Sequence, residues 1–446
     1  MLLSQDRSIQ FEQDLTDLIA VKSVKSDSTE SAPYGIGTLE ALNVMFDIAD
    51  RYGFTHKNLD GRVGYIEWGQ GLKYIAVLSH LDIVPPGPLS DWSTDPYALT
   101  LLNGYYYGRG IVDDKGPALA ALYGMIDLKE SGYEPPCRIR LILGLDEEHG
   151  SSCVKHYLEH EPEPEYGFTP DADFPAIFAE KGILQIEITS RGNPELRILG
   201  GDAANMVPAS CEVSIPSLRF AKKYIGKSAH ASTPEKGDNA IIKAISDLPI
   251  ALKTSHPFLS FIETEFISND PRHRLFSTVT SDFSGDICVN IGMIELADTF
   301  GRLIIDVRYP VTENSDKILS CFRAVLDEAS TSTSVMSHLL PLHIGKHSAQ
   351  MTALLKIYES YLEQFECDDR NNPLYLKFTQ GPVQPIAIGG GTYARSMPNI
   401  IPFGPYLPWE NATLHQKDEC YKKSHLLTLI DVYRDAIRLL SELTNT

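Results

Sequence analysis

The chain of 446 residues has 43% hydrophobic residues and a formal charge of −20 at pH 7, from 59 acidic and 39 basic side chains. This length exceeds one ordinary core and predicts about two domains, and the composition is typical of a globular protein. The negative charge repels phosphate backbones and anionic membrane surfaces, so binding to nucleic acid or to a membrane is disfavoured.

The first third of the chain alternates strands with helices. We expect a buried strand in YIAVLSH (74–80), a helix that begins near Pro117 and ends near Gly132, and a second strand in RIRLILGL (138–145). A further helix is predicted in SSCVKHYLEHE. This alternation predicts an α/β domain with a mostly parallel central sheet.

The pattern changes near residue 185. LQIEITSRG, CEVSIPSL and RLIIDVRYP alternate apolar and polar residues, as half-solvated strands do. Helical periodicity returns in AQMTALLKIYESYLEQF and in the C-terminal segment. We therefore predict an α/β domain in two parts, 1–184 and 346–446, interrupted by an inserted α+β domain over 185–345.

The N-terminus and the cysteines predict a cytoplasmic protein. MLLSQDRSIQFEQDL lacks the basic region and apolar core of a signal peptide, and no run of about 18 apolar residues occurs. The seven cysteines stand singly without a CxxC pair, which is typical of free thiols in a reducing compartment.

Acidic and imidazole side chains gather where the predicted strands end, which is where ligands bind in open α/β sheets. Each alone could be a helix cap or a solvated residue, but the adjacent carboxylates of Asp146, Glu147 and Glu148 need a cation to offset their repulsion. Imidazoles and carboxylates without cysteine suit zinc or manganese. The positions are His80, Asp82, Asp113, Asp114, Asp146, Glu147, Glu148, Asp171, Asp173 and His415.

Seven sequence motifs occur along the chain: HLDIVPPG, GRGIVDDKGP, LDEEHG, GFTPDADFP, GKSAHASTPEKGDNA, GGGTYAR and LHQKDE. Their order resembles that in the M20 metallopeptidases, and the resemblance extends from about residue 15 to the C-terminus. The resemblance points to the dipeptidase branch that includes PepV-like enzymes and carnosinases. It implies that 1–184 and 346–446 form a catalytic domain and 185–345 a lid. A nucleotide-binding alternative fails, because neither GRG nor GGG supplies GxGxxG between a strand and a helix.

The resemblance implies two Zn²⁺ ions per chain, with Mn²⁺ or Co²⁺ as substitutes. Asp173 is a rival to Asp171 as a ligand, and Asp146 receives no role. The implied ligands are His80 and Asp171 for one ion, Glu148 and His415 for the other, and Asp113 as a bridge between them.

The resemblance also assigns three residues to catalysis. Glu147 would be the general base that takes a proton from metal-activated water and hands it to the leaving amine. Asp82 would orient the imidazole of His80, and His230 would donate to the tetrahedral oxyanion. Asp114 would shape the loop that follows the bridging position.

Four residues are candidates for substrate binding. A free carboxylate calls for a bidentate guanidinium; Arg308 resembles the lid arginine of dipeptidase relatives, and Arg395 is a second candidate. Asn205 resembles the lid asparagine near the scissile carbonyl. Gly391 lies in a loop whose glycines allow backbone donors to approach closely. For a lone arginine on a strand, such as Arg308, a surface ion pair is the structural alternative.

These expectations predict a dipeptidase that hydrolyses small unblocked dipeptides, including those with β-alanyl or D-aminoacyl N-terminal residues. An N-acyl amino acid amidohydrolase or desuccinylase is the alternative, and a non-catalytic metal-binding protein on the same scaffold is a more distant one. The long lid favours a monomer, because in PepV-like enzymes it mimics a partner's contribution; a homodimer is the alternative.

Overall fold

The computed structural model describes residues 5–445, and the chain divides into two compact units. Unit 1 comprises Met1–Phe178, Ile344–Ile386 and Thr392–Thr446, and unit 2 comprises Ala179–His343 and Ala387–Gly391. Among the described residues, no helix is long and apolar enough to cross a membrane.

The first stretch of the chain carries four helices and nine strands. The helices are α1 (Gln5–Ala20), α2 (Ile36–Arg51), α3 (Lys115–Glu130) and α4 (Ser152–His160). The strands are β1 (Thr55–Leu59), β2 (Val63–Trp68), β3 (Tyr74–His80), β4 (Thr100–Leu102), β5 (Tyr105–Tyr107), β6 (Arg138–Gly144), β7 (Tyr166–Thr169), β8 (Ala172–Asp173) and β9 (Ile177–Glu180). The predicted strands at 74–80 and 138–145 are confirmed as β3 and β6.

The rest of the chain continues this numbering. The helices are α5 (Ala240–Ser246), α6 (Ile250–Lys253), α7 (Pro257–Ile262), α8 (Ser315–Val325), α9 (Ala349–Tyr361), α10 (Pro373–Thr379) and α11 (Lys423–Leu443). The strands are β10 (Gly182–Arg191), β11 (Arg197–Gly200), β12 (Ser210–Ile215), β13 (Phe220–Ile225), β14 (Cys288–Leu296), β15 (Phe300–Tyr309), β16 (Thr331–Leu339), β17 (Leu342–His343), β18 (Ile386–Ile388), β19 (Ile400–Pro402), β20 (Pro405–Tyr406) and β21 (Cys420–Lys422).

Unit 1 is built on a six-stranded sheet in the order β1-β2-β6-β3-β7-β19. The pairs β6–β3, β3–β7 and β7–β19 are parallel, while β1–β2 and β2–β6 are antiparallel. The sheet is therefore mostly parallel, as predicted. Gly124 lets α3 and α11 approach closely, because a Cβ there would lie 2.8 Å from the backbone nitrogen of Arg434.

Unit 2 is built on a seven-stranded antiparallel sheet in the order β13-β12-β11-β14-β15-β10-β16. Helices α5, α7 and α8 bury their apolar side chains in one core with residues of this sheet. The α+β character predicted for this stretch is thus observed. The segment Ala387–Gly391 also belongs to unit 2, although the predicted boundaries place it with the last part of the chain. Its attachment includes a hydrogen bond from the Lys181 backbone amide to the Ile388 carbonyl at 3.1 Å.

Candidate metal centre

The carboxyl ends of three parallel strands of unit 1 bring the predicted metal ligands together. His80 ends β3 and lies beside Gly144, the last residue of β6, in the strand pairing. The loop after β6 carries Glu147 and Glu148, and the loop after β7 carries Asp171. Because parallel strands end at the same edge of a sheet, these side chains meet although they lie far apart in the chain.

The carboxylate of Asp113 lies between two histidines. His80 Nε2 is 2.9 Å from Asp113 Oδ1, and His415 Nε2 is 3.0 Å from Asp113 Oδ2. Asp171 Oδ2 lies 3.8 Å from His80 Nε2, while Glu148 Oε2 lies 3.1 Å from His415 Nε2. Each oxygen of Asp113 therefore faces a different histidine, and each histidine has a further carboxylate beside it.

Two groups of three side chains at this site have ligand atoms within 4.8 Å of one another: His80 with Glu147 and Asp171, and Asp113 with Glu148 and His415. The division between the two groups follows the predicted pairs, with Asp113 touching both histidines. Asp173 lies in β8 and is in neither group. Because Glu147 itself belongs to the first group, its assignment as an unbound base stays a prediction.

The charges at this centre are strongly coupled. Burial raises the pKa of Glu147 to about 8, with the neighbouring Glu148 and Asp113 acting in the same direction. Hydrogen bonds to Asp113 and Glu148 raise the pKa of His415 to about 10. Burial alone would raise the pKa of Asp113, but hydrogen bonds from His415 and His80 lower it. The imidazoles and carboxylates of this centre thus shift one another's pKa, and binding of divalent cations would release the protons that they hold.

Asp82 orients both His80 and the loop that carries the two glutamates. His80 Nδ1 lies 3.0 Å from the backbone oxygen of Asp82 and 3.5 Å from its Oδ1. Because Nδ1 donates to that carbonyl, Nε2 is the nitrogen that faces Asp113 and would bind a metal ion. The Asp82 carboxylate also accepts hydrogen bonds from the backbone amides of Glu147 at 3.0 Å and Glu148 at 3.1 Å.

Asp114 and Asp146 are two further carboxylates of this region, and each has partners within unit 1. Asp114 Oδ2 accepts a hydrogen bond from the His80 backbone amide at 3.2 Å. Although Asp114 precedes α3, its side chain makes no capping hydrogen bond. Asp146, which received no role from the sequence, pairs with Lys25 Nζ at 2.7 Å and accepts from Ser152 Oγ at 2.5 Å. Both side chains are buried.

Tyr393 is a neighbour of the centre that the sequence did not single out. Its buried ring meets the imidazole of His80 edge-on with 5.8 Å between centroids, and its hydroxyl lies 3.2 Å from Cys153 Sγ. A Cβ at Gly144 would lie 1.9 Å from that hydroxyl, so only glycine fits there. Tyr393 lies within GGGTYAR, the motif that also contains Gly391 and Arg395.

A buried ion pair supports the loop that carries Asp113. Glu419 accepts hydrogen bonds from Arg109 Nη1 at 2.6 Å and from the backbone amides of Gly110 and Val112 at 3.1 Å each. Val112 directly precedes Asp113. Arg109 lies in GRGIVDDKGP and Glu419 in LHQKDE, so both residues belong to motifs of the predicted site, but the sequence does not show that they form a pair.

His230 belongs to unit 2, where its neighbours determine which ring nitrogen carries the proton. Its Nδ1 accepts a hydrogen bond from the Ser232 backbone amide at 3.3 Å and lies 2.6 Å from Ser232 Oγ. Because an amide can only donate, Nδ1 is the acceptor and Nε2 carries the hydrogen. Burial and the nearby Arg308 lower the pKa of His230, which favours this neutral donor form.

Arg308 is buried in unit 2, and part of its guanidinium group is already hydrogen-bonded within the unit. Its Nε and Nη2 donate to Asp306 at 2.5 and 3.1 Å, and its Nη1 donates to the Gly389 carbonyl at 3.2 Å. One edge of the guanidinium is therefore occupied, so a bidentate contact to a substrate would use the Nη1–Nη2 edge. Asp306 lies two residues earlier on β15, on the same face of the strand, and was missed in the sequence.

The other substrate-binding candidates fall in different units. The Asn205 carbonyl accepts from the Ala231 amide at 2.9 Å, which places Asn205 beside the segment of His230 in unit 2. Gly391 ends the short segment Ala387–Gly391 of the same unit. Arg395 lies in unit 1, in the turn Tyr393–Ser396. Unit 2 thus contains Asn205, His230, Arg308 and Gly391, and unit 1 contains Arg395 and the metal centre.

Comparisons with known proteins show which sequences this chain resembles. The model of peptidase family M20/M25/M40 matches residues 76–439. A Bacillus subtilis protein described as "Putative dipeptidase YtjP" is 31% identical over 465 residues, covering 95% of this chain and 96% of the relative. A Staphylococcus epidermidis protein described as "Putative dipeptidase" is 29% identical over 468 residues, covering 95% of this chain and 96% of the relative.

Two solved structures show that the fold is shared. Human carnosine dipeptidase 1 superposes with a TM-score of 0.59 at 14% identity, covering 98% of this chain and 96% of the other. The yeast di-peptidase Dug1p from Saccharomyces cerevisiae superposes with a TM-score of 0.56 at 14% identity, covering 97% and 96%. At such low identity these similarities bear on the fold alone.

Proposed function

The chain belongs to peptidase family M20/M25/M40 and is a metal-dependent hydrolase, and we propose that it is a two-metal dipeptidase that cleaves small unblocked dipeptides. The observation that carries the proposal is the position of Asp113, whose two carboxylate oxygens lie 2.9 and 3.0 Å from His80 and His415. A carboxylate with a different histidine at each oxygen is suited to bridge two cations. The names of the curated relatives support a dipeptide substrate.

The donor atoms fit two divalent ions. His80 and Asp171 would hold one ion, Glu148 and His415 the other, with Asp113 between them. Imidazole nitrogens and carboxylate oxygens without thiolates suit Zn²⁺, with Mn²⁺ or Co²⁺ as substitutes. When bound, such ions polarise the scissile carbonyl and lower the pKa of a water molecule.

The remaining assignments concern the chain's own side chains. The Glu147 carboxylate would take the proton from the attacking water and pass it to the leaving amine. Asp82 supports that role, because it holds the backbone amide of Glu147 at 3.0 Å. His230 would donate from Nε2 to the oxyanion, and its neutral tautomer supports this. Arg308 would bind the substrate carboxylate through its Nη1–Nη2 edge, with Asn205, Gly391 and Arg395 as further contacts.

The test is a substrate panel with purified protein in Zn²⁺ or Mn²⁺. It contains α-dipeptides, β-alanyl and D-aminoacyl dipeptides, their N-acetylated counterparts and N-succinyl amino acids, and released amine is measured. We expect hydrolysis of the unblocked dipeptides, including β-alanyl or D-aminoacyl members, and strongly reduced hydrolysis by Glu147→Gln. Preference for the N-acylated compounds would refute the dipeptidase assignment, and no hydrolysis with metal bound would refute catalysis.

A further inference from the structure

A second group of metal-binding side chains lies on the surface of unit 1. Asp60 is in the turn between β1 and β2, while His156 and His160 are on α4. Residues four apart on a helix lie on the same face one turn apart. One ligand atom from each of the three side chains lies within 4.8 Å of the other two.

The distances suit a small tetrahedral ion. His156 Nε2 lies 2.9 Å from Asp60 Oδ2, and the two imidazole centroids are 4.3 Å apart. Ligand atoms that each lie about 2.0 Å from a tetrahedral Zn²⁺ are separated by about 3.3 Å. The nitrogen and the oxygen therefore need to separate by only a few tenths of an ångström to admit the ion, which would replace the hydrogen between them.

The hydrogen bond of His160 also leaves one of its ring nitrogens available to bind a metal ion. Its Nδ1 lies 2.8 Å from the backbone carbonyl of His156 and can only donate to it. This tautomer leaves the lone pair on Nε2. A histidine that binds metal through one nitrogen commonly donates its other N–H to a backbone carbonyl, which holds the ring in position.

The surroundings favour a cation with an open coordination position. The Asp60 side chain is 71% exposed, that of His156 is 18% exposed, and His160 is also exposed. Water can therefore complete the coordination of an ion held by two imidazoles and one carboxylate. The chain's formal charge of −20 also raises the local concentration of cations.

We propose that Asp60, His156 and His160 bind one divalent transition-metal ion of the Zn²⁺ type, separate from the two ions of the proposed catalytic centre. The bound ion would join the β1–β2 turn to the C-terminal end of α4, the helix that follows the Glu147–Glu148 loop. The proposal does not depend on the proposed function, since none of the three residues has a part in the chemistry.

The test counts bound zinc in the full-length, untagged protein. Protein stripped with a chelator is dialysed against buffered Zn²⁺, and zinc per chain is measured by atomic emission. The variant His156→Gln/His160→Gln is compared with a matched control, His273→Gln/His347→Gln, which changes two exposed histidines outside the group. Circular dichroism checks that each variant is folded.

We expect the His156/His160 variant to bind one zinc ion per chain fewer than the wild type and the control. Its kcat should match that of the wild type, which separates this site from the catalytic centre. Asp60→Asn, which removes one anionic ligand, should weaken binding of that ion without changing the others. Equal zinc content in the wild type and the folded His156/His160 variant would overturn the proposal.

Discussion

Lys25 forms an ion pair with Asp146 at 2.7 Å across 121 positions of the chain. This contact helps to explain how three consecutive carboxylates are accommodated after β6. The first is paired with a lysine from the N-terminal part of the chain, while the other two have their backbone amides held by Asp82 and their side chains in the metal centre. The three consecutive carboxyl groups therefore have different neighbours: Lys25 for the first, His80 and Asp171 for the second, and Asp113 and His415 for the third.

Lys25→Met should destabilise unit 1. The Asp146 side chain is 2% exposed, so its charge would keep only the hydrogen bond from Ser152. Leaving a buried acceptor without its partner costs about 1–3 kcal/mol, and urea unfolding followed by circular dichroism would measure the loss. Lys73→Met, which removes a more exposed ion pair with Glu165, is the control and should cost far less. Equal unfolding midpoints for the two variants would contradict this role of Lys25.

Glu147→Gln should lower kcat at least 10²–10⁴-fold, about the usual contribution of a general base, and keep both metal ions. Both the initial rate of hydrolysis and the amount of bound zinc per chain are measured for the variant and the wild type. Glu148→Gln is the matched control and should lose metal, because Glu148 lies 3.1 Å from His415. Loss of zinc from Glu147→Gln would instead make Glu147 a ligand beside His80 and Asp171.

His230→Ala should lower kcat about 10²–10³-fold with the metal content unchanged, as expected for removal of one oxyanion donor. Ser232→Ala tests the tautomer separately. It keeps the backbone amide on Nδ1 and removes the hydroxyl at 2.6 Å, so we expect a smaller fall in kcat. An unchanged kcat for His230→Ala would remove this histidine from the mechanism.

Arg308→Lys should raise KM for dipeptides with a free carboxylate and leave the rate with C-terminally amidated substrates unchanged. Lysine keeps a positive charge beside the buried Asp306 but cannot form the planar bidentate contact. This substitution avoids leaving Asp306 unpaired, as Arg308→Ala would. Steady-state kinetics on matched acid and amide substrates make the comparison, and equal effects on both would argue against carboxylate binding.

Asp82→Asn should weaken zinc binding about 10–100-fold, the usual effect of removing a group that orients a metal ligand. The asparagine side chain has one acceptor oxygen where Asp82 now accepts from two backbone amides. Zinc titration with a chromophoric chelator would measure the change. Wild-type zinc affinity in a folded Asp82→Asn protein would show that the backbone carbonyl of Asp82 suffices to orient His80.

Much of the fold could be predicted because its signals are local. The apolar run 74–80 coincides with β3, and the helix predicted between Pro117 and Gly132 is α3, Lys115–Glu130. The same alternation of strands and helices predicts that the acidic residues follow the ends of the strands. The segment Ala387–Gly391 belongs to unit 2, although the predicted boundaries place it with 346–446, because its hydrogen bonds to unit 2 join residues far apart in the chain.

Local sequence patterns predict the kinds of side chain at the centre, their order along the chain and the strands that bring them to one edge, since periodicity and motif spacing are properties of neighbouring residues. The partners of these side chains follow from the tertiary structure: Lys25 for Asp146, the amides of Glu147 and Glu148 for Asp82, and Asp306 for one edge of Arg308. Hydrogen bonds and ion pairs depend on distances of a few tenths of an ångström between side chains, and the packing of strands and loops sets those distances.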